Sequence, residues 1–303
     1  MKQISLTITI FITLAISMTA QKELMMSQYM YNKYSINPAF GGSHETLSAY
    51  ASYRKKYASF ENSPSGALFT INSPLKNEKI ALGFQFFNDQ FVSSQNTGFN
   101  FSYTYRIQIN EATKLGLGIS AGMINYKSDW NGVILVDKTD VEFNHNEQTM
   151  APWIGFGASI YHDKYFAGLS IPSLLYYDRF GSGESSLELS KTDYLWTAGY
   201  IYKINNHFTL QPSLFIRLNM DDETFADISV TAFIMRSVIL GASYRTTHQI
   251  VGVAGVQISP QFRCTYSYDY DTDPIGSYNG GTHEVALQFN FGFKINSPDP
   301  KFF

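Results

Sequence analysis

Residues 261–293 read QFRCTYSYDYDTDPIGSYNGGTHEVALQFNFGF. Taken alternately, Phe262, Cys264, Tyr266, Tyr268 and Tyr270 share one side of an extended chain, and Arg263, Thr265, Ser267, Asp269 and Asp271 share the other. After residues 272–281 the pattern resumes. Val285, Leu287, Phe289, Phe291 and Phe293 face one way, Glu284, Ala286, Gln288, Asn290 and Gly292 the other. The reading is two strands joined by a glycine-containing turn. Each is about ten residues or a little longer, the length a tilted strand needs to cross a bilayer. One side is aromatic and aliphatic, the other polar and charged, as in a membrane barrel with lipid outside and a wet lumen inside.

Composition agrees. Hydrophobic residues make up 44% of the 303, yet mean hydropathy is −0.14, and apart from the extreme N-terminus no apolar run is long enough for a spanning helix. Aromatics reach 16%, the residue class that forms interfacial girdles on outer-membrane barrels. A net charge of −3 gives no basic footprint, so nucleic acid is not an expected partner. A single cysteine excludes an internal disulfide and a cysteine-based zinc site. Cys264 falls on the apolar side of its strand and reads as a small packed or lipid-facing residue.

The N-terminus reads as an export signal over residues 1–20. Lys2 supplies the positive start, Ile4 to Met18 the apolar centre and Thr19-Ala20 the small-residue end, which places cleavage between Ala20 and Gln21. Residues 21–44 keep neither strand nor helix period. Asn37-Pro38 and Gly41-Gly42 break the chain, while Tyr29, Met30, Tyr31, Tyr34 and Phe40 give it more apolar content than a free linker. The segment is expected to dock, as a strap over the periplasmic mouth or as a plug in the lumen.

From residue 45 the alternation predicts an all-β, transmembrane, antiparallel up-and-down barrel over 45–294, followed by a short tail at 295–303. Fourteen strands are read, with twelve or sixteen as alternatives: 45–53, 65–73, 79–88, 95–108, 113–126, 151–162, 164–172, 192–203, 206–218, 223–235, 237–245, 248–257, 260–271 and 282–294. The gaps supply an independent check. Those at 74–78, 109–112, 163, 204–205, 236 and 258–259 are short, while 54–64, 127–150, 173–191 and 272–281 are long, the asymmetry of periplasmic turns against outer loops. Pro212 inside a strand implies a bulge or a missing ladder bond.

Signals for chemistry are sparse. The six histidines lack metal-like spacing, and no nucleophile elbow or phosphate loop occurs. Asp269-Tyr270-Asp271-Thr272-Asp273 begins like a calcium loop, but Pro274 stands where the turn needs glycine and Gly280 where the closing Glu belongs. No metal, cofactor or catalytic residue is assigned, and an enzyme is not expected. Arg106, Arg217, Arg245, Arg263, Asp269, Asp271 and Glu284 fall on the polar sides of their strands and form a candidate lumen or rim network that fixes a plug or lines an ion path. Trp130, Tyr176 and Tyr177 place aromatics in two long outer loops, the residue type expected at the centre of a partner interface.

Several segments, in order and spacing, resemble one known family. They are Ser27-Gln28-Tyr29-Met30-Tyr31-Asn32, Ile36-Asn37-Pro38-Ala39-Phe40-Gly41-Gly42-Ser43, Tyr53-Arg54-Lys55-Lys56-Tyr57, Gly168-Leu169-Ser170-Ile171-Pro172-Ser173-Leu174, Ala198-Gly199-Tyr200, Leu210-Gln211-Pro212-Ser213, Gly241-Ala242-Ser243-Tyr244-Arg245, Tyr266-Ser267-Tyr268-Asp269-Tyr270 and Gly281-Thr282-His283-Glu284-Val285. Together they resemble the PorP/SprF family of Bacteroidetes over essentially the whole mature chain. The resemblance implies an outer-membrane component of type IX secretion and gliding motility. Such a protein receives or anchors the C-terminal domain of a particular secreted protein or surface adhesin, alongside outer-membrane lipid and other secretion components. Read from the residues alone, a passive channel for small or hydrophobic solutes is the other expectation.

Overall fold

The computed structural model describes residues 26–76, 78–128, 147–177 and 185–292. Within them one antiparallel sheet closes on itself. Its first seven strands are β1 (Ser48–Lys55), β2 (Ser65–Pro74), β3 (Ile80–Phe91), β4 (Ser94–Gln108), β5 (Lys114–Ser128), β6 (Glu147–His162) and β7 (Tyr165–Ile171). A small separate pair, β8 (Tyr176–Tyr177) and β9 (Ser185–Ser186), lies in the next loop. The sheet continues through β10 (Tyr194–Tyr200), β11 (Tyr202–Asn205), β12 (Phe208–Leu218), β13 (Phe225–Ile234), β14 (Val238–Arg245), β15 (Gln249–Gln257), β16 (Phe262–Asp271) and β17 (Thr282–Asn290). Sequential strands are neighbours, β1 pairs β17, and β10 pairs both β7 and β12. β10 and β11 are two halves of one strand, so the sheet is a fourteen-stranded barrel.

Each of the fourteen stretches of alternation is a strand of the barrel. The interruption at Ile201 has a local cause. Gly199 pairs with Ser213 and Tyr202 with Leu210, so the break falls opposite Gln211 and Pro212. Proline has no N–H to give its partner, and the ladder lapses there. On the other side of the strand the Ile201 N–H still bonds the Lys164 carbonyl, next to β7. β12 keeps its register with β13 through Pro212, so the missing bond implied by the sequence is on the β10 side and no bulge forms on the other.

Burial is inverted relative to a water-soluble sandwich. Phe101 is 61% exposed and Tyr268 36%, while Thr104, Ser267 and Asp227 on the opposite faces are buried. Apolar side chains thus line the outside and polar ones the inside, which is stable only where lipid replaces water at the outer wall. The turns after β2, β4, β6, β11, β13 and β15 are short and gather at one rim with the start of β1 and the end of β17. The long loops gather at the other. Among the described residues no helix is long and apolar enough to cross a membrane. Ala20, Gln21, Trp130 and the tail 295–303 lie outside the described residues.

Candidate functional site

The lumen is filled by the chain's own residues 26–44. Two short 3-10 turns, Lys33–Ser35 and Pro38–Phe40, compact the segment, and Tyr29, Met30, Tyr31, Tyr34, Ala39 and Phe40 are all buried. It descends from the outer end, where Ser27 meets the end of β16 and the start of β17, to the periplasmic end, where the Gly42 N–H bonds the Asn72 side chain 2.8 Å away. Along the way wall hydroxyls take its carbonyls: Thr104 donates to Pro38 at 2.7 Å, Ser159 to Ala39 at 3.0 Å and Ser170 to Ile36 at 2.6 Å.

The wall is thinned where the segment presses hardest. A Cβ on Gly118 would lie 2.4 Å from the Ala39 nitrogen and the Pro38 carbonyl carbon, and one on Gly157 would lie 2.0 Å from the Asn37 side-chain oxygen. Only glycine lets plug and wall approach this closely. Asn37 converts the contact into hydrogen bonds. Its amide donates to the carbonyls of Ala158 and Leu169 at 3.2 and 3.1 Å, while its oxygen accepts the Ala39 N–H at 2.9 Å. Asn37→Ala should cost about 1–3 kcal/mol, the penalty for abandoning buried partners. Asn37→Asp should cost more, because it sets a carboxylate against two carbonyl oxygens. The readout is the midpoint of thermal unfolding in detergent.

A buried ionic cluster holds the upper end. Arg54 bridges Asp269 at 2.8 Å and Glu284 at 3.1 Å, all three being almost wholly buried, and it also donates to the Ser27 hydroxyl. Ser27 donates from its own hydroxyl to Asp269 at 2.6 Å and from its N–H to Glu284 at 2.7 Å. Gln28 adds its amide to the Glu284 carbonyl at 3.0 Å and accepts from Thr265. Beside them Arg245 pairs with Asp227 at 3.1 Å and Gln249 at 3.0 Å, and Gln249 and Asn279 both donate to Asp271. Above the cluster, in the loop after β1, burial and then the Arg54 charge lower the Lys56 pKa. Burial and then Asp271 raise that of Tyr57.

The residues read as one network occupy four places. Arg245, Asp269, Asp271 and Glu284 meet in this cluster. Arg263 lies lower and bonds Gln257 and Gln288, with no carboxylate partner among the described residues. Arg106, near the short-turn end of β4, donates to Tyr161 two strands along the wall at 2.9 Å. Arg217 sits at the outer rim between Asp193 at 3.0 Å and Asp222 at 2.7 Å. Arg54 and Asp227 belong to the cluster and were not among the candidates. Arg54 falls one residue beyond the expected end of the first strand, in what was read as an outer loop; β1 extends to Lys55 and turns it inward.

Much of the remaining lumen is apolar. Met26, Tyr29, Leu68, Phe87, Ile124, Trp153, Leu195 and Phe215 form one buried cluster with further plug residues. A chamber of about 120 Å³ remains between plug and wall, lined by Met26, Leu68, Phe87, Trp153 and Leu195 with Asp193 and Arg217 at its rim. Described residues of the loop after β7 pack on the neighbouring strands and on each other. Tyr177 stacks on Tyr126 with ring centres 5.1 Å apart, Lys191 lies 4.3 Å over the Tyr176 ring, and the Trp153 indole donates to the Pro172 carbonyl at 2.6 Å. Tyr176 and Tyr177 are therefore half-buried against this chain rather than presented freely.

A closed barrel with lipid-facing aromatics, short turns at one rim and a filled lumen defines an outer-membrane protein. Solved structures of that class are similar in fold. The CymD monoaromatic hydrocarbon channel matches with a TM-score of 0.51 at 10% identity, over 88% of this chain and 93% of that one. Omp33 of Acinetobacter baumannii matches at 0.48 and 9% over 82% and 98%, and the KdgM porin at 0.41 and 11% over 81% and 99%. No curated protein matches the sequence. The profile of the type IX secretion system membrane protein PorP/SprF matches residues 18–289, and the chain belongs to that family.

Proposed function

We propose that this outer-membrane protein receives one secreted partner at its outer face and anchors it there, serving type IX secretion as a platform rather than as the conduit. The observation that carries this reading is the plug. Residues 26–44 occupy the bore, fixed at one end by buried ion pairs and along the other by contact with a glycine-floored wall. A protein conduit requires a bore that this packing removes. A barrel closed by pairing of its first and last strands is instead a rigid mount for variable outer loops. The partner is the C-terminal domain of a secreted protein or surface adhesin, with outer-membrane lipid around the wall and other secretion components as neighbours.

Replacing residues 129–146 and 173–191 by short Gly/Ser links tests the reading. The barrel should persist, seen as heat-modifiable migration on gels, while attachment of the partner to the cell surface is lost. Unchanged secretion and attachment would refute it. The second reading, a passive channel for small or hydrophobic solutes, draws on the apolar chamber beside the plug. Purified protein in planar bilayers separates the two, because the platform stays closed.

A further inference from the structure

The barrel wall is uneven at one place. β7 has seven residues and β10 begins at Tyr194, whereas β6 runs for sixteen. The β6–β7 ladder ends at Phe156 and Ile171, while β5 accompanies β6 as far as Glu147. A tilted strand the length of β7 rises only about 18 Å, at ~3.3 Å per residue and a tilt of about 40°, which is less than the ~25 Å apolar band of such barrels. The wall therefore has a notch beginning in the outer leaflet. One flank of it is the edge of β6.

Parity decides what that edge offers. In an antiparallel ladder each residue turns its N–H and C=O to the same neighbour, and successive residues alternate. The Ile154 carbonyl accepts the Leu174 N–H at 2.8 Å. Gln148, Met150, Pro152 and Ile154 thus turn their backbones to the notch, and Thr149, Ala151 and Trp153 turn theirs to β5. Pro152 sits where its missing N–H takes no bond from the barrel. Above Phe156 the Leu174 bond is the one backbone bond to this edge among the described residues. Met150 is 58% exposed.

Two apolar surfaces flank the notch. On the lipid side Phe156, Leu169, Ile171 and Trp196 line a groove of about 640 Å³. On the lumen side Trp153 and Pro172 line the chamber described above, and Leu195 borders both. A strand laid along β6 would send alternate side chains to these two surfaces while pairing its backbone with the edge. An acyl chain or a helix offers no N–H and C=O at that spacing.

We infer that the edge of β6 from Gln148 to Ile154 docks an extended strand of the secreted partner, which adds to the barrel wall in its outer half. This rests on the receiving role proposed above and supplies its place and its bonds. Met150→Pro removes an N–H that points into the notch. The variant should keep heat-modifiable migration, while the surface protein that is lost when this chain is deleted falls at least tenfold in cell-surface biotinylation and appears in the medium. In purified wild-type barrel the Gln148 and Met150 amides should exchange with deuterium far faster than those of Thr149 and Ala151. Equal protection of all four would mean the chain covers its own edge, and would overturn the inference. So would a folded M150P that retains the partner as wild type does. If that variant retains it while the 173–191 replacement does not, strand addition is wrong and the receiving role stands; if both retain it, the receiving role falls too. Gln148→Pro, at the same parity, repeats the test should M150P not assemble. Failure of both to assemble would show an edge already paired, and would also overturn it.

Discussion

Arg54→Leu is expected to open the barrel. The guanidinium lies between Asp269 and Glu284 and also reaches Ser27 of the plug, and all four residues are buried. Removing it leaves two carboxylates facing each other out of water. Breaking a buried pair in this way costs about 3–5 kcal/mol. The strain is relieved most readily by water entering from the outer mouth and by release of Ser27 and Gln28, whose backbone amides are held by Glu284. Planar-bilayer recordings should therefore change from closed to conducting, and protease should cut near residue 27 in intact cells. A closed, protease-resistant R54L barrel would show that the glycine-floored contacts hold the plug unaided.

Gly118→Val attacks the other anchorage. Its Cβ meets backbone atoms of Pro38 and Ala39 rather than a flexible side-chain tip, so the neighbour cannot yield by a rotamer change. Overpacking of this kind costs about 1–3 kcal/mol where the structure can shift, and here the shift available is displacement of the plug. Conductance and loss of thermal stability should appear together. Gly252→Ala is the control, because a Cβ at Gly252 meets nothing within 4 Å. A silent G118V would mean that β5 bows outward at little cost. Together R54L and G118V test whether the two anchorages are independent, in which case their stability losses add.

The strands were legible because period-2 alternation is a local property and lipid makes its amplitude large. Phe99, Phe101, Tyr103 and Tyr105 against Asn100, Ser102, Thr104 and Arg106 needed no neighbour to be read. The same parity gave the correct face for all seven candidate polar residues. It could not group them, because alternation states inside or outside but neither height nor position around the cylinder. Arg217 and Arg245 share the polar face yet serve different partners. Arg54 was missed through a boundary two residues short, although continuing the alternation past Tyr53 turns it inward. Asp227, between the outward Ala226 and Ile228, carried the same signal.

Ser27, Gln28 and Asn37 had no such signal. Apart from Arg54, their wall partners are 121 to 257 residues away in sequence, in walls that a segment without periodicity does not announce. The aromatic loop was half legible. Its residue types suit an outer mouth, but the stacking of Tyr177 on Tyr126 depends on where β5 ends relative to β7. That relation is set by the register of the sheet, and no single strand states it.

Residues 26–44 grip β16 and β17 at one end and β4 to β7 at the other, so they touch walls that the linear order of the chain keeps far apart. Such a segment is a strut as well as a stopper: it ties together walls that the hydrogen-bonded ladder alone joins only through the strands between them.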